Sequence, residues 1–203
     1  MTKSDYEKIL NLPTVKAFLD MTAWAEGGTY NKLYGGGTFN SSQHPNRLIT
    51  AGGYSSTAAG RYQFLYRTWI GIKNKLGLAD FSPKNQDIAC LELVRQRGEL
   101  NNVINGNLLA TLKGLGCAWA SFPYSGCGQN EKSLSSITNY YNSRLKYYGA
   151  NPSALVSNNS VVADTATANN LVKKVINDIK SDNTLQYATY GIAFLFLIAL
   201  TRR

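Results

Sequence analysis

Apolar residues at helical spacing run through most of residues 14–148, and one glycine-rich stretch interrupts them. The spacing predicts helices at 15–25, 62–76, 82–96, 108–115, 118–121 and 133–148. Residues 35–53 are instead rich in Gly, Ser and Thr, with short apolar pieces, which favours loops or short strands. The chain is therefore expected to fold as a mainly α body that carries one small β or loop lobe after its first helix.

Capping residues indicate where two of these helices begin and end. Thr14 is the expected N-cap of the first helix, and Gly27 and Gly28 follow its last turn. Ser82 followed by Pro83 predicts the start of another, because proline is tolerated in the first helical turn. Glu26 is thereby placed at the C-terminus of the first helix.

Glu26 is isolated from other acids, because the 53 residues from Gly27 to Ala79 contain no Asp or Glu. At a helix C-terminus a carboxylate faces the negative end of the helix dipole, which raises its pKa, and burial beside Trp24 would act in the same direction. A carboxylic acid that stays partly protonated near neutral pH can act as a general acid. Glu26 is therefore the candidate catalytic residue, and a solvated or helix-capping glutamate is the alternative.

Charge and histidine content restrict the partners and the chemistry. The 21 Lys and Arg residues exceed the 12 Asp and Glu residues and leave a net charge of +9, which favours anionic partners such as nucleic acid, anionic lipid or an acidic wall polymer. No clustered basic run or known nucleic-acid motif accompanies this charge, so nucleic-acid binding is not expected. His44 is the single histidine and is expected to be a loop residue bonded to backbone, so neither a catalytic metal nor a cofactor is predicted.

The three cysteines do not form a C-x-x-C motif. Cys90 lies in an apolar run and is expected to be a buried, unreactive thiol. Cys117 and Cys127 are expected to be unpaired, with a bridge between them as the alternative in an oxidising compartment.

The C-terminal quarter has a different composition from the body. Residues 151–170 are rich in Ser, Asn, Ala and Thr and favour a flexible spacer, and an apolar stripe between Leu171 and Ile179 predicts an amphipathic helix after it. No signal peptide is recognised at the N-terminus. We expect a body at 1–150 and a spacer with this helix at 151–182.

Residues 183–203 are expected to form a C-terminal transmembrane helix. No charged residue occurs from Asn183 to Thr201, and this length approaches the ~20 residues that cross a bilayer. Tyr190 and Arg202 lie where interfacial anchors are expected. The alternative is a buried terminal helix.

Six segments, in order across residues 17–129, match one family of cell-wall enzymes. They are AFLDMTAWAEG (17–27), HPNRLIT (44–50), AGRYQFL (59–65), LGLADFSPKNQD (76–87), RGEL (97–100) and AWASFP (118–123) with the Gly-Gln pair at 128–129. The chain thus resembles the bacteriophage lambda endolysin family, which are lysozyme-like lytic transglycosylases.

The resemblance implies an α+β lysozyme-like fold with a sugar-binding cleft and peptidoglycan glycan strands as substrate. Its single catalytic glutamate corresponds to Glu26, which would cleave the MurNAc–GlcNAc β-1,4 bond and form 1,6-anhydro-MurNAc without water. The substrate-binding residues implied are Arg61, Tyr62, Gln63, Tyr124 and Gln129. The alternative is that Tyr62 and Phe64 belong to the core and Gln63 caps a helix. The stretch between Glu26 and His44 is shorter than in the soluble phage enzyme, which alters the lip of the cleft.

A membrane-anchored phage enzyme for wall penetration or host lysis is the function expected from these observations together. Its location would be a virion internal membrane or the host inner membrane, with the catalytic domain facing the periplasm. The alternatives are a hydrolytic muramidase of the same fold and a non-catalytic wall-binding virion protein.

Overall fold

The computed structural model describes residues 1–128 and 130–153, and this part of the chain is mainly helical. Its α-helices are α1 (Lys3–Ile9), α2 (Pro13–Ala25), α3 (Tyr66–Leu76), α4 (Pro83–Gln96), α5 (Leu100–Ile104), α6 (Leu108–Leu115) and α7 (Leu134–Tyr147). Short 3-10 turns at Tyr34–Gly36 and Gly116–Ala118 accompany them. The predicted mainly α fold is confirmed.

Helix α2 lies at the centre of the body, where it packs along α7 and also contacts α5. Phe18 of α2 meets the rings of Trp119 and Phe122 edge-on, at centroid distances of 6.4 and 6.5 Å. All three rings are at most 3% exposed. Burial of this aromatic group, which excludes a large apolar area from water, ties the loop after α6 to the central helix.

Two predicted helix starts are wrong. Helix α2 begins at Pro13 rather than after a Thr14 cap, because the Thr14 hydroxyl donates instead to the carbonyl of Ile104 at 2.8 Å. Helix α3 begins at Tyr66 rather than at residue 62, because Ala59 and Phe64 exchange backbone hydrogen bonds and hold the intervening residues in a turn.

The helix predicted at 118–121 is also wrong, because a 3-10 turn ends at Ala118 and Trp119 takes extended backbone. The helices predicted at 82–96, 108–115 and 133–148 match the structure, and two helices were missed. Helix α4 begins at Pro83 after Ser82, and α6 spans Leu108–Leu115. Helix α7 begins after Ser133, whose hydroxyl accepts the amide hydrogen of Ser136. The short helices α1 and α5 gave too few turns for a clear apolar period and were not predicted.

The glycine-rich stretch forms the small lobe that the sequence predicts. Strands β1 (Ile49–Ala51) and β2 (Tyr54–Ser56) pair antiparallel, with Ala51 opposite Tyr54. Gly52 and Gly53 join them at φ values of +58° and +83°, where a two-residue hairpin turn needs left-handed backbone. An isolated bridge between Leu33 and Ala59 connects this lobe to the chain that leads into α3.

Two of the three cysteines are bridged, which was the alternative considered from the sequence. Cys117 and Cys127 form a disulfide, with Cα atoms 5.5 Å apart, so the expectation of unpaired thiols is wrong. The loop between them bends back on itself, since Tyr124 and Gly126 both have positive φ, and this brings the sulfurs together. Cys90 is free and buried, as expected.

Across the described residues, no helix has both the length and the hydrophobicity needed to cross a membrane. The transmembrane helix predicted at 183–203 lies outside those residues. So does the predicted spacer at 151–182, apart from its first three positions.

Candidate active site

A tight turn at the end of α2 sets the position of Glu26. Glu26 is the C-cap of the helix, and Gly27 follows it with φ of +61°. The amide of Gly27 donates to the carbonyl of Trp24 at 3.2 Å, and the amide of Gly28 donates to that of Ala23 at 2.9 Å. This pair of bonds is a Schellman motif, which requires left-handed backbone at the first glycine. The turn ends the helix and presents Glu26 at its C-terminal end, as predicted.

The environment of Glu26 favours its protonated form. Partial burial raises the pKa of the carboxyl, and the hydrogen bond from the Ser121 hydroxyl to Oε1, together with the charge of Lys132, only partly offsets this. The C-terminal end of a helix dipole works in the same direction as burial. A glutamic acid that retains its proton toward neutral pH can protonate a leaving group, which is the general-acid environment expected from the sequence.

Glu26 lines a cleft of about 520 Å³ between the small lobe and the disulfide-closed loop. The lobe contributes Lys32, Leu33, Tyr34, Gly35, Gly36, Ser56 and Ala58, and the loop contributes Cys117, Ala118, Trp119, Ala120 and Cys127. Among the described residues that line this cleft, Glu26 is the only acid. The other lining residues include an amide, a hydroxyl, a lysine and two aromatic residues, which suit the hydroxyls, amides and flat faces of sugars.

The two acids most relevant to a paired-carboxylate mechanism are engaged elsewhere. Asp80 accepts from the amide of Ser82 at 3.0 Å and from the side chain of Asn85 at 2.7 Å, so it is engaged in the turn that leads into α4. Glu131 accepts from the hydroxyl of Ser125 at 2.8 Å and organises the loop after Phe122. Neither acid is among the residues that line the cleft.

Arg61 and Tyr62, expected in the sugar cleft, are placed elsewhere by the structure. Arg61 forms ion pairs with Asp20 and Asp87, and Tyr62 is 1% exposed and donates to Asp87 at 2.5 Å. Two carboxylates already satisfy the guanidinium, which explains why it remains inside the body. Neither side chain is among those lining the cleft with Glu26.

Of the remaining expected binding residues, Gln63 lines the cleft with Glu26. Its φ of +50° is unusual for a residue with a side chain, and a bond from its side-chain amide to the Gly60 carbonyl, at 3.0 Å, accompanies this backbone. Tyr124 is 48% exposed and does not line the cleft. Gln129 lies outside the described residues.

Ser121 is a part of the site that sequence reasoning missed, and the disulfide is a part that it gave only as an alternative. Ser121 is within the family-like segment 118–123, and that segment was the only signal that could have pointed to it. Lys132 extends the same side of the site: its amide donates to the Ser121 carbonyl at 2.8 Å, and its ammonium lies 4.7 Å from the centre of the Trp24 ring.

His44 bonds to backbone, as expected. Its Nε2 is 2.8 Å from the carbonyl oxygen of Phe64, and its Nδ1 accepts the amide of Asn46 at 3.1 Å. Burial lowers the pKa of His44, which favours the neutral ring. In the described part of the chain, no group of three or more His, Cys, Asp or Glu side chains could hold a metal ion.

Proteins of known identity are similar to this chain in sequence. A family model described as Endolysin matches residues 16–147. The endolysin of Escherichia phage lambda is 40% identical over 134 residues, which cover 60% of this chain and 85% of that protein. The endolysin of Escherichia phage P2 is 39% identical over 93 residues, which cover 46% of this chain and 56% of that protein.

The fold is also similar to solved structures. Bacteriophage lambda lysozyme complexed with a chitohexasaccharide superposes with a TM-score of 0.62 and 36% identity, over 68% of this chain and 96% of that one. A second structure, lysozyme from bacteriophage lambda, gives a TM-score of 0.59 and 33% identity over the same shares. The described body therefore has the lambda lysozyme fold, helical with a small two-stranded sheet.

Proposed function

The chain belongs to the endolysin family, and from this premise we propose that it is a peptidoglycan lytic transglycosylase with Glu26 as its single catalytic acid and base. It is an enzyme that acts on peptidoglycan as a glycosidase. The proposal concerns how the bond is broken. It rests above all on one observation, that Glu26 is the only acid among the described residues lining the cleft.

In the first step, Glu26 protonates the oxygen of the MurNAc–GlcNAc β-1,4 bond. The raised pKa of this carboxyl, caused mainly by burial, keeps the required proton available. The bond between C1 of MurNAc and the glycosidic oxygen then breaks, and GlcNAc leaves with the proton from Glu26. Positive charge develops at C1 of the remaining sugar.

In the second step, the ionised Glu26 removes the proton from the C6 hydroxyl of the same MurNAc, and that oxygen bonds to C1. A 1,6-anhydro ring results, Glu26 regains its proton and no water is consumed. The Ser121 hydroxyl assists here because a hydrogen bond to Oε1 stabilises the ionised form. The attacking group is tethered to the sugar, so neither a second carboxylate nor a positioned water is needed.

The surroundings of Glu26 support this route over hydrolysis. A hydrolase that uses two carboxylates needs the second at roughly 5 to 9.5 Å from the first. Asp80 is bonded in the turn before α4, Glu131 organises its own loop, and neither lines the cleft. Hydrolysis by two carboxylates would therefore need a second base or nucleophile from outside the described lining of this cleft.

We propose that glycan strands lie in this cleft between the small lobe and the disulfide-closed loop. Gln63 is placed to bond sugar hydroxyls or N-acetyl groups beside Glu26. Tyr124 is kept as a candidate for contacts beyond the cleft, where its loop would meet a longer strand, and Gln129 also remains a candidate substrate-binding residue. Arg61 and Tyr62 are not included among the residues that touch substrate.

The proposed working location is the periplasmic side of a membrane. The uncharged stretch at 183–201 and the arginines that follow it favour a C-terminal anchor whose end stays in the cytoplasm or inside a membrane-containing virion. The bond between Cys117 and Cys127 supports an oxidising compartment for the body. Such an enzyme would serve wall penetration by a phage or host lysis.

The mass of the reaction products tests the proposal. Purified peptidoglycan is digested with the protein, and the released muropeptides are analysed by mass spectrometry. Anhydro ends, lighter by one water molecule than reducing ends, are the expected result. Reducing ends throughout would identify a hydrolytic muramidase, and intact peptidoglycan would identify a non-catalytic wall-binding protein.

A further inference from the structure

Residues 61–63, termed here the support segment, contact the parts of the site on both sides of the cleft. A Cβ atom placed on Gly28 would lie 2.2 Å from the carbonyl oxygen of Arg61, so the turn that presents Glu26 sits directly on this backbone. On the other side, the indole of Trp119 donates to the carbonyl of Tyr62 at 3.1 Å. Gln63 completes the segment and lines the cleft.

Trp119 also links the support segment to Ser121. Trp119 is two residues before Ser121 and packs against Phe122 at a centroid distance of 5.5 Å. The Ser121 hydroxyl donates to Glu26. The support segment thus touches both members of the hydrogen-bonded pair through backbone, Glu26 by way of Gly28 and Ser121 by way of Trp119.

Side chains of the support segment are anchored away from the cleft, chiefly on Asp87 of α4. Tyr62 donates to Asp87 at 2.5 Å, and Arg61 donates to the same oxygen at 3.2 Å. The amide of Arg61 donates to the side chain of Gln86 at 2.8 Å. Two neighbouring residues of α4 therefore hold the segment at both its backbone and its side chains.

The side chains that hold the support segment form a cluster in which positive and negative charges balance. Arg61 also pairs with Asp20 of α2, which in turn accepts from Arg144 at 2.6 Å and from Tyr148 at 2.7 Å. Tyr30 donates to Asp87 at 3.0 Å. Two carboxylates meet two guanidinium groups and three tyrosine hydroxyls, so each charge has an opposite partner, as buried charges require.

We propose that Asp87, acting through Tyr62 and Arg61, is a positioning residue that fixes the support segment and thereby aligns Glu26 with Ser121. Arg61 and Tyr62 serve catalysis from behind the cleft and do not bind the sugar. This inference rests on the proposed function, because it takes Glu26 as the catalytic acid.

The test compares Tyr62→Phe with the matched control Tyr6→Phe. Tyr6 is also fully buried and donates to a carboxylate of α4, Glu92, but its cluster contains none of the residues that line the cleft. Each substitution removes one hydroxyl and keeps the ring, so the two should reduce stability by similar amounts. They should differ in catalysis.

We expect Tyr62→Phe to lower kcat roughly tenfold or more and to change KM by less than about twofold, because misalignment affects the transition state more than ground-state binding. A weakened Ser121 contact should also raise the pKa of Glu26, so the alkaline limb of the pH–rate profile moves to higher pH. A carbon-13 NMR titration of the Glu26 carboxyl should show the same upward shift. Tyr6→Phe should leave kcat, the profile and the titration as they are.

Two outcomes overturn the inference: a rise in KM at unchanged kcat, which would make the segment a sugar-binding element, or equal effects of the two variants. If Tyr62→Phe does not fold, Tyr30→Phe, which removes another donor to Asp87, is judged by the same criteria. Full activity of Glu26→Gln in the same assay would instead overturn the proposed function, and the NMR titration would still decide on positioning.

Discussion

Glu26 and Glu92 are both carboxylates held in the helical body, but their surroundings drive their pKa values in opposite directions. Glu92 is fully buried, and burial alone would raise its pKa; bonds from Arg95, Lys75, Tyr6 and Gln96 outweigh burial and lower the pKa to about 2. At Glu26, burial outweighs the bond from the Ser121 hydroxyl, and the pKa is raised.

The supply of donors and cations, rather than burial, separates Glu92 from the proposed catalytic acid Glu26. Glu92 has ion pairs with Arg95 and Lys75, each at 2.8 Å, so its charge stabilises the fold. Glu26 lacks such an ion pair among the described residues. An acid whose negative charge has few cations or donors around it is more reactive, at a cost in the stability of the fold.

Glu26→Gln should have the largest effect on activity. Glu26 is the only acid among the described residues that line the cleft, so its loss should lower the rate of peptidoglycan cleavage by about 10³-fold or more, in the range of general acid–base catalysis. Stability should stay level or rise. Because the folded-state pKa of Glu26 is raised, its contribution to stability is present at low pH and is lost as pH rises through that pKa.

The measurements are turbidity loss of purified peptidoglycan and urea unfolding at several pH values. Any stability gained by Glu26→Gln over the unmodified protein should grow as pH rises from the ordinary value of 4.5 to the raised pKa, and it should level off above that pKa. A variant that cleaves at the normal rate would break the contrast between the two glutamates.

Glu92→Gln should show the opposite pattern. Removing the charge leaves Arg95 and Lys75 without their shared partner and should lower the free energy of unfolding by about 3 kcal/mol. Cleavage per folded molecule should change little, because the Glu92 cluster contains none of the cleft residues.

The pH dependence supplies a second check on Glu92. Its folded-state pKa is depressed, so its stabilisation is present above the ordinary value of 4.5 and is lost as pH falls toward about 2. The stability gap between the variant and the unmodified protein should therefore narrow across that window. A gap that stays constant down to the lower limit would contradict a charge-based role.

Local signals account for what the sequence predicted well. Helix α4 is opened by Ser82 and Pro83, and the turn after Glu26 is made by Gly27; both depend only on neighbouring residues. The small lobe follows from a similar local signal, because Gly52 and Gly53 can adopt the backbone of a tight hairpin. Features of this kind are decided within a few residues and can be predicted from composition and spacing.

Contacts between distant residues account for what was missed. Arg61 meets Asp20 and Asp87 across 41 and 26 positions of the chain, and no local pattern tells which carboxylates will come close. Residues 61–63 were therefore all predicted to bind sugar. The structure instead holds Arg61 in a charged cluster and places only Gln63 of the three in the cleft. The contact between Ser121 and Glu26, which spans 95 positions, was missed for the same reason.

Ser121→Ala should have the smallest effect of the three substitutions. It tests most directly why the pKa values of Glu26 and Glu92 differ. Without the hydroxyl, Glu26 loses a donor to its ionised form, so its pKa should rise further. The alkaline limb of the pH–rate profile should move to higher pH. The maximal rate should fall by roughly tenfold, because the second step needs the ionised carboxylate and loses one charge-assisted hydrogen bond.

Ser125→Ala is the matched control, since Ser125 lies in the same disulfide-closed loop and its hydroxyl donates to a different carboxylate, Glu131, at 2.8 Å. Both substitutions remove one hydroxyl from this loop, so a general loosening of the loop would lower both rates and leave the pH profile in place. A shift of the profile in Ser121→Ala alone would show that donors to Glu26 set its acidity. An unchanged profile in Ser121→Ala would mean that the Ser121 hydroxyl does not tune Glu26, and the contrast with the richly bonded Glu92 would then need another cause.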